Sequence, residues 1–402
     1  MIDKSSSETL LDCTVGAGSA NVGTFYEFFA GGGMVRAGLG SAWACAFAND
    51  FDKKKSVTYL ANWGSGGELA LGDIRDVDIG QLPGHADLIW GSFPCQDLSL
   101  AGGGAGLKGD RSGTFYPFWR LVEGLISDGR APKIIALENV TGTLTSHSGA
   151  DFSAICEGFS DVGYQYGAVV VDAKSFVPQS RPRLFFIGVR PDIALDHRLL
   201  SPEALEPFHT RSLRKAVSNI SEAARKDWLW WNLPTPAIRT SSFSDLVEEV
   251  PKSVDWHTPD QTAALLAQMS PLNSAKVEAA KRAGRRMVGT VYKRMRPAKT
   301  LGREVRAEVR FDEVAGCLRT PSGGSSRQTI LVVDGNLVRS RLISARETAR
   351  LMGLSDTYIL PNAYNEAYHL TGDGVATPVV RFLAKQLFER VLALSPEMTT
   401  PT

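Results

Sequence analysis

The chain has few of the features that mark secretion, metal binding or membrane insertion. Its five cysteines, at 13, 45, 95, 156 and 317, form no CxxC pair and no zinc-like spacing, so no metal site is expected. An odd, scattered set fits reduced thiols and a cytoplasmic protein. No apolar run approaches bilayer length, and the N-terminus lacks a signal-peptide core, so no membrane partner is expected. Net charge is only +1 over 402 residues, which neither demands nor excludes nucleic acid. There is no internal repeat. The dinucleotide pattern GxGxxG is also missing: after Gly31-Gly32-Gly33, Arg36 stands where a third glycine would fall, so a pyrophosphate is not specifically indicated. What remains is an ordinary globular composition, 43% hydrophobic and 22% charged, in a chain long enough for two domains.

Residues 1–22 are rich in Ser, Thr and Gly without periodicity and read as a mobile arm. From there to about Arg190, apolar runs alternate with helical patterns. Strands are expected at Thr24–Ala30, Ala44–Ala48, Leu69–Ile74, Asp87–Trp90, Lys133–Leu137, Ala168–Asp172 and Leu184–Val189. Helices are expected at Met34–Leu39, Lys53–Asn62, Phe115–Ile126 and Phe152–Phe159. This alternation predicts an α/β fold with a doubly wound, mostly parallel sheet. After Arg190 the chain becomes polar and proline-spotted, with Trp228, Trp230 and Trp231 reading as a small core. Between Lys276 and Arg310 twelve Lys or Arg stand against three Glu, a local excess of nine that suits phosphate binding. Helical patterns return at Ala345–Met352 and Val375–Leu394, the latter with an apolar stripe suited to packing on the first domain. The expected division is a domain at 23–190 completed by 365–395, a second at 191–364, and a tail at 396–402.

The chemistry collects at predicted strand ends. In Gly91-Ser92-Phe93-Pro94-Cys95-Gln96, proline stops an apolar run and leaves Cys95 at the carboxyl edge of the sheet, where open α/β folds hold ligands. The loop Ser99 to Gly109 carries five glycines and suits a lid over a covalent nucleophile; a buried, inert cysteine is the plainer alternative. Asp50 ends the second strand, placed for the hydroxyls of a ribose, and Asp73 follows the third, suited to an adenine amino group. Both acids could instead cap helices or turns. Together with the glycine turn they favour an uncharged adenosine bearing a cationic sulfonium. Glu138 follows the apolar strand Ile134–Leu137, and in the extended segment before Leu184, Gln179, Arg181 and Arg183 should share one face.

Five segments in order, Phe29-Ala30-Gly31-Gly32-Gly33, Pro94-Cys95-Gln96, Glu138-Asn139-Val140, Gln179-x-Arg181-x-Arg183 and Arg341-x-x-Ser344-x-Arg346-Glu347, resemble the DNA cytosine-5 methyltransferases. The resemblance implies a Rossmann-like catalytic domain with a smaller target-recognition domain. It implies methyl transfer from S-adenosylmethionine, leaving S-adenosylhomocysteine, to a cytosine flipped out of double-stranded DNA. Cys95 would be the nucleophile, Glu138 the proton donor at N3, and Arg183, with Arg181, the binder of the base carbonyl. Phe29, Gly31, Gly33, Asp50, Phe51, Asp73, Ile74, Pro94, Phe115, Asp373 and Val375 would line the cofactor pocket. Asp373 stands where the family commonly has asparagine, and Phe51 where it often has tryptophan. Gln96, Ser99, Arg111, Asn139, Gln179, Arg285, Arg286, Arg294, Arg296, Arg319, Ser325 and Arg327 are the expected DNA contacts. A prokaryotic or phage setting, a monomer, and a cognate restriction endonuclease without a stable complex are further expectations. An RNA cytosine methyltransferase, a catalytically silent DNA binder and, most weakly, a nicotinamide oxidoreductase are the rival readings.

Overall fold

A computed structural model describes residues 21–94, 113–297, 302–319 and 327–394. The expected alternation appears as seven strands: β1 (Gly23–Phe28), β2 (Trp43–Asp50), β3 (Leu69–Leu71), β4 (Leu88–Gly91), β5 (Ile134–Val140), β6 (Gln165–Asp172) and β7 (Pro182–Val189). They form one sheet in the order β3-β2-β1-β4-β5-β7-β6. The first five run parallel, and β7 runs antiparallel to both β5 and β6. Because β7 runs the other way, its N-terminal end lies at the carboxyl edge of the parallel strands. The helices α1 (Met34–Leu39), α2 (Lys53–Trp63), α3 (Phe115–Ser127) and α4 (Ala150–Asp161) connect the strands.

Side chains alternate across the sheet, so each strand feeds two cores. Ile134 and Ala136 of β5 join the core under α1, while Ile135 and Leu137 join the one under α3 and α4. The segment after Arg190 also serves these cores. Phe208, Trp231 and Leu233 pack on one face, and α5 (Arg211–Ser218) and α6 (Glu222–Lys226) pack on the other. Leu229 N donates to Tyr166 O at 2.6 Å, so this segment covers the free edge of β6. The tryptophan cluster is thus an extension of the first domain's core, with Trp228 packed edge-on against Tyr166.

Two-residue strands β8 (Leu200–Ser201) and β9 (Trp230–Trp231) pair in this cover. Helices α7 (Phe243–Leu246), α8 (Pro259–Ala267) and α9 (Pro271–Lys281) then lead into a second, antiparallel sheet. Its strands are β10 (Met287–Pro297), β11 (Arg303–Arg310), β12 (Thr329–Asp334) and β13 (Leu337–Leu342), in the order β11-β10-β12-β13. Leu265, Met269 and Val277 of α8, α9 and the turn between them cover one face through Val291, Val309 and Leu331. Pairing of β10 with β12 ends at Val291, so the remainder of β10 and β11 projects as a two-stranded ribbon.

The chain returns through α10 (Ala345–Leu351), α11 (Tyr364–Asp373), α12 (Thr377–Leu383) and α13 (Glu389–Leu394), the last two joined by a π turn at Ala384–Phe388. The apolar stripe packs on the first sheet as expected, through Val379, Val380, Leu383 and Leu387. A Cβ on Gly38 would lie 2.5 Å from Val380 Cβ, so α1 and α12 meet only because residue 38 is glycine. The Arg341-x-x-Ser344-x-x-Glu347 motif caps α10: Ser344 Oγ accepts from Glu347 N, and Glu347 accepts from Ser344 N and, twice, from Arg341. No helix among the described residues is long and apolar enough to cross a membrane, and no group of them could hold a metal ion.

Candidate active site

The site begins where β5 outruns β4. Gly91 ends β4 opposite Leu137, and β5 continues through Glu138, Asn139 and Val140 because β7 pairs with them. Val140 lies opposite Arg183, so Glu138 and Arg183 are diagonal neighbours on one face. Arg183 Nε meets Glu138 Oε1 at 3.0 Å. Burial pushes the Glu138 carboxyl above its ordinary range, against the downward pull of Arg183 and Arg181. Asn139 donates from Nδ2 to Phe93 O at 3.2 Å and accepts from Val140 N and Thr143 Oγ1. It thereby fixes the strand end from which Pro94 leads away. Cys95, Gln96, Ser99, Arg111 and the glycine loop lie outside the described residues, as does Ser325.

Arg181 and Gln179 meet the same Cys317–Leu318 segment as Arg183. Gln179 is fully buried, donating to Leu351 O at 2.8 Å and accepting from Leu318 N at 3.1 Å. Arg181, 1% exposed, donates to Leu318 O at 3.0 Å, Gly372 O at 2.9 Å and Gly374 O at 2.6 Å. Burial lowers its pKa to about 10. All three side chains turn toward Cys317–Leu318, but Gln179 and Arg181 precede β7 and also bind the return segment, Gln179 at the end of α10 and Arg181 at the end of α11. Arg181 is therefore a strut that joins three chain segments under the site.

The glycine turn is built on backbone geometry that most residues avoid. Phe29, Gly31 and Gly33 have φ of 59°, 56° and 77°. A Cβ on Gly33 would fall 2.2 Å from Trp63 Nε1, which donates to Gly32 O together with Tyr358 Oη. Asp50 braces the turn, accepting from Gly31 N at 2.7 Å and Asp52 N at 2.8 Å, and burial raises its pKa. Phe51 beside it is 69% exposed, an apolar ring with one face open to a stacking partner. Asp73 caps the turn Ile74–Asp76 and pairs with Arg75 at 2.5 Å, which holds it below its usual range. That turn ends the strand expected to run to Ile74 at Leu71. Ile74 and Phe115 are buried, the latter against Phe93 and Trp119, and Pro94 is exposed. A Cβ at Gly72 would meet nothing within 4 Å, which leaves space beside Asp73. Val375 is buried where α11 turns into α12, and Asp373 Oδ2 pairs with Lys55 Nζ at 2.7 Å. Carboxylates, an open ring and a strained backbone turn, with the nearby lysine already paired, suit a nucleoside carrying a positive charge.

The expected DNA contacts on the second sheet are exposed but balanced. Arg296 pairs with Glu308 at 2.5 Å, Arg294 reaches the same carboxylate at 3.6 Å, and Arg286 meets Glu249 at 2.9 Å. Arg285 and Arg319 are exposed, and Arg327 donates to Asn365 Oδ1 at 2.5 Å while lying over Tyr364. One residue at the site was missed from sequence: Cys317, whose Sγ lies 3.3 Å from Arg181 Nη1 and 3.9 to 4.0 Å from both Nη atoms of Arg183. No local motif marks it, because the bridge between Gln179 and Ala315 brings it there across more than a hundred residues.

Comparison with known proteins agrees with this geometry. Residues 23–389 match the family described as C-5 cytosine-specific DNA methylase. The chain is 33% identical over 375 residues to the Type II methyltransferase M.BsuFI of Bacillus subtilis, covering 92% of this chain and 73% of that protein. It is 25% identical to M.HpaII of Haemophilus parainfluenzae over 388 residues, covering 92% and 90% respectively. In fold it is similar to the S. pombe Dnmt2 methyltransferase, with a TM-score of 0.54, 15% identity, and coverage of 91% of this chain and 98% of that one.

Proposed function

Since the chain belongs to the C-5 cytosine-specific DNA methylase family and is a DNA cytosine-5 methyltransferase, we propose that it uses S-adenosylmethionine and works through a covalent bond between Cys95 and carbon 6 of a flipped-out cytosine. The observation that carries this reading is the buried Glu138–Arg183 pair, set at the sheet edge beside the strand that leads to Pro94 and Cys95. Carbon 5 of cytosine is a poor nucleophile, and attack on the ring face requires the base to leave the stack, at a cost of about a few kcal/mol. Addition of the Cys95 thiolate to carbon 6 moves electron density toward N3 and carbon 5. Glu138, whose carboxyl burial pushes above its ordinary range, would give a proton or hydrogen bond at N3 and so favour that addition. Arg183 holds the base carbonyl and stabilises the developing charge. The sulfonium supplies the electrophilic methyl group that carbon 5 takes up. Loss of the carbon 5 proton then returns the electrons that expel Cys95.

For the cofactor, Asp50 would take the ribose hydroxyls, Phe51 the adenine face, Asp73 the adenine amino group, and the turn Phe29 to Gly33 with Val375 the remainder. The major groove admits a two-stranded ribbon such as β10–β11, with Arg294 and Arg296 exchanging Glu308 for phosphates. A specific duplex sequence, a role beside a restriction endonuclease or alone, and a bacterial cytoplasmic setting complete the reading. Incubation with tritiated S-adenosylmethionine and mixed-sequence duplex DNA, followed by digestion to nucleosides, tests it. Label in 5-methyldeoxycytidine is expected. Label confined to RNA in a parallel reaction, or in no nucleic acid, would overturn the proposal.

A further inference from the structure

Cys317 lies where the proposed mechanism has no role for it, yet its surroundings are built from the same charged groups. Its Sγ is 3.3 Å from Arg181 Nη1 and within 4.0 Å of both Nη atoms of Arg183, whose Nε holds Glu138. Two guanidiniums therefore face one carboxylate and one thiol. We infer that Cys317 is a positioning residue of the methyl-transfer site: its sulfur accepts from Arg181 and lies beside Arg183, and by sharing Arg183 it leaves Glu138 able to hold its proton. The inference rests on the assignment of Glu138 as the proton donor.

The groups around the sulfur agree in sign. Burial pushes the thiol up, but the charges of Arg181 and Arg183, with Arg319 adding to them, bring it below its usual value. The other two cysteines with resolved shifts, Cys45 and Cys156, are both pushed up. Tyr292 of β10 and Tyr368 of α11 are raised, chiefly by burial, with the charge of Cys317 adding to the rise. The physical consequence is a division of labour. Without the thiolate, the full attraction of two arginines would fall on Glu138 and favour its ionised form. With it, part of that attraction is answered at Cys317. Arg183 Nη1 is itself held by Pro182 O at 3.0 Å, with the sulfur 3.9 to 4.0 Å from both Nη atoms.

Two measurements test this. The first needs no activity: the ¹³Cβ resonances of labelled cysteine are followed against pH, with Cys317 assigned by its loss in Cys317→Ser. The expected midpoint lies below the ordinary thiol value of about 8.5 and rises by about one pH unit or more in Arg183→Met. A midpoint at or above the ordinary value in the wild type overturns the inference, whether or not the Arg183 variant folds. The second is the pH profile of single-turnover methylation. Loss of the anion in Cys317→Ser should move the alkaline limb to lower pH by about half a unit or more, and Cys317→Asp should restore it. Equal profiles for all three proteins would show that Cys317 only fills space. If the thiol titrates as expected while no protein methylates DNA, the ion cluster stands and the assignment of Glu138 falls.

Discussion

The sheet edge and the β10–β11 ribbon use the same pair of residue types for opposite ends. At the edge, Arg183 and Glu138 have side chains 14% and 10% exposed, and burial lifts the carboxyl pKa. On the ribbon, Arg296 and Glu308 are 47% and 29% exposed. A pair that open to solvent contributes about 0–1 kcal/mol, so a phosphate can displace the glutamate at little cost. A buried pair cannot be exchanged so freely, since either partner left alone is an uncompensated charge. Burial therefore fixes one arginine–glutamate pair in place and leaves the other open to exchange.

The largest effect should come from breaking the edge. Glu138→Gln keeps the shape but removes the proton, and should slow single-turnover methylation by about 10²- to 10⁴-fold, with cofactor affinity unchanged by calorimetry. The wild-type rate should also fall as pH rises through the raised pKa of Glu138, since the protonated form is the active one. Arg181→Met comes next and acts on folding: three buried carbonyls lose their donor, at a cost of about 3 kcal/mol or more, read by urea unfolding. The double change Arg294→Ala, Arg296→Ala should leave the rate at saturating DNA intact. It should weaken DNA binding and reduce the slope of log affinity against log salt by about two. An unchanged slope would remove the ribbon from the interface.

The smallest effect separates burial from pairing. Glu27 on β1 is 1% exposed, and burial raises its pKa to about 8. The folded state then binds this proton more tightly than the unfolded chain. Its stabilising contribution is full below the ordinary carboxylate range, declines as pH rises from there to about 8, and is absent above. Glu27→Gln should raise Tm at pH 9 by a few degrees and leave it unchanged at pH 4. Equal shifts at both pH values would mean that Glu27 is not protonated in the fold.

Local pattern reached the strands, the turn and the strand-end acids because each is a short-range feature. Lys133–Leu137 was legible as a strand, but its continuation through Val140 depends on β7, and so does the meeting of Glu138 with Arg183. Alternation put Gln179, Arg181 and Arg183 on one face, and all three reach Cys317 or Leu318; it could not show that the first two also bind the return segment. Asp73 illustrates the reverse case, in which the plain reading as a cap is also what its side chain does. Cys317 was invisible because it owes its neighbours to contacts more than a hundred residues apart.

The central claim is that a thiol at residue 95 bonds to a cytosine ring in DNA. Duplex DNA containing 5-fluorocytosine tests it most directly, because fluorine at carbon 5 cannot depart as a proton does. With S-adenosylmethionine present, the account predicts a protein–DNA species that survives denaturing electrophoresis, carries the methyl label and disappears in Cys95→Ala. A labelled product without any trapped species, or a trapped species that persists in Cys95→Ala, would contradict it.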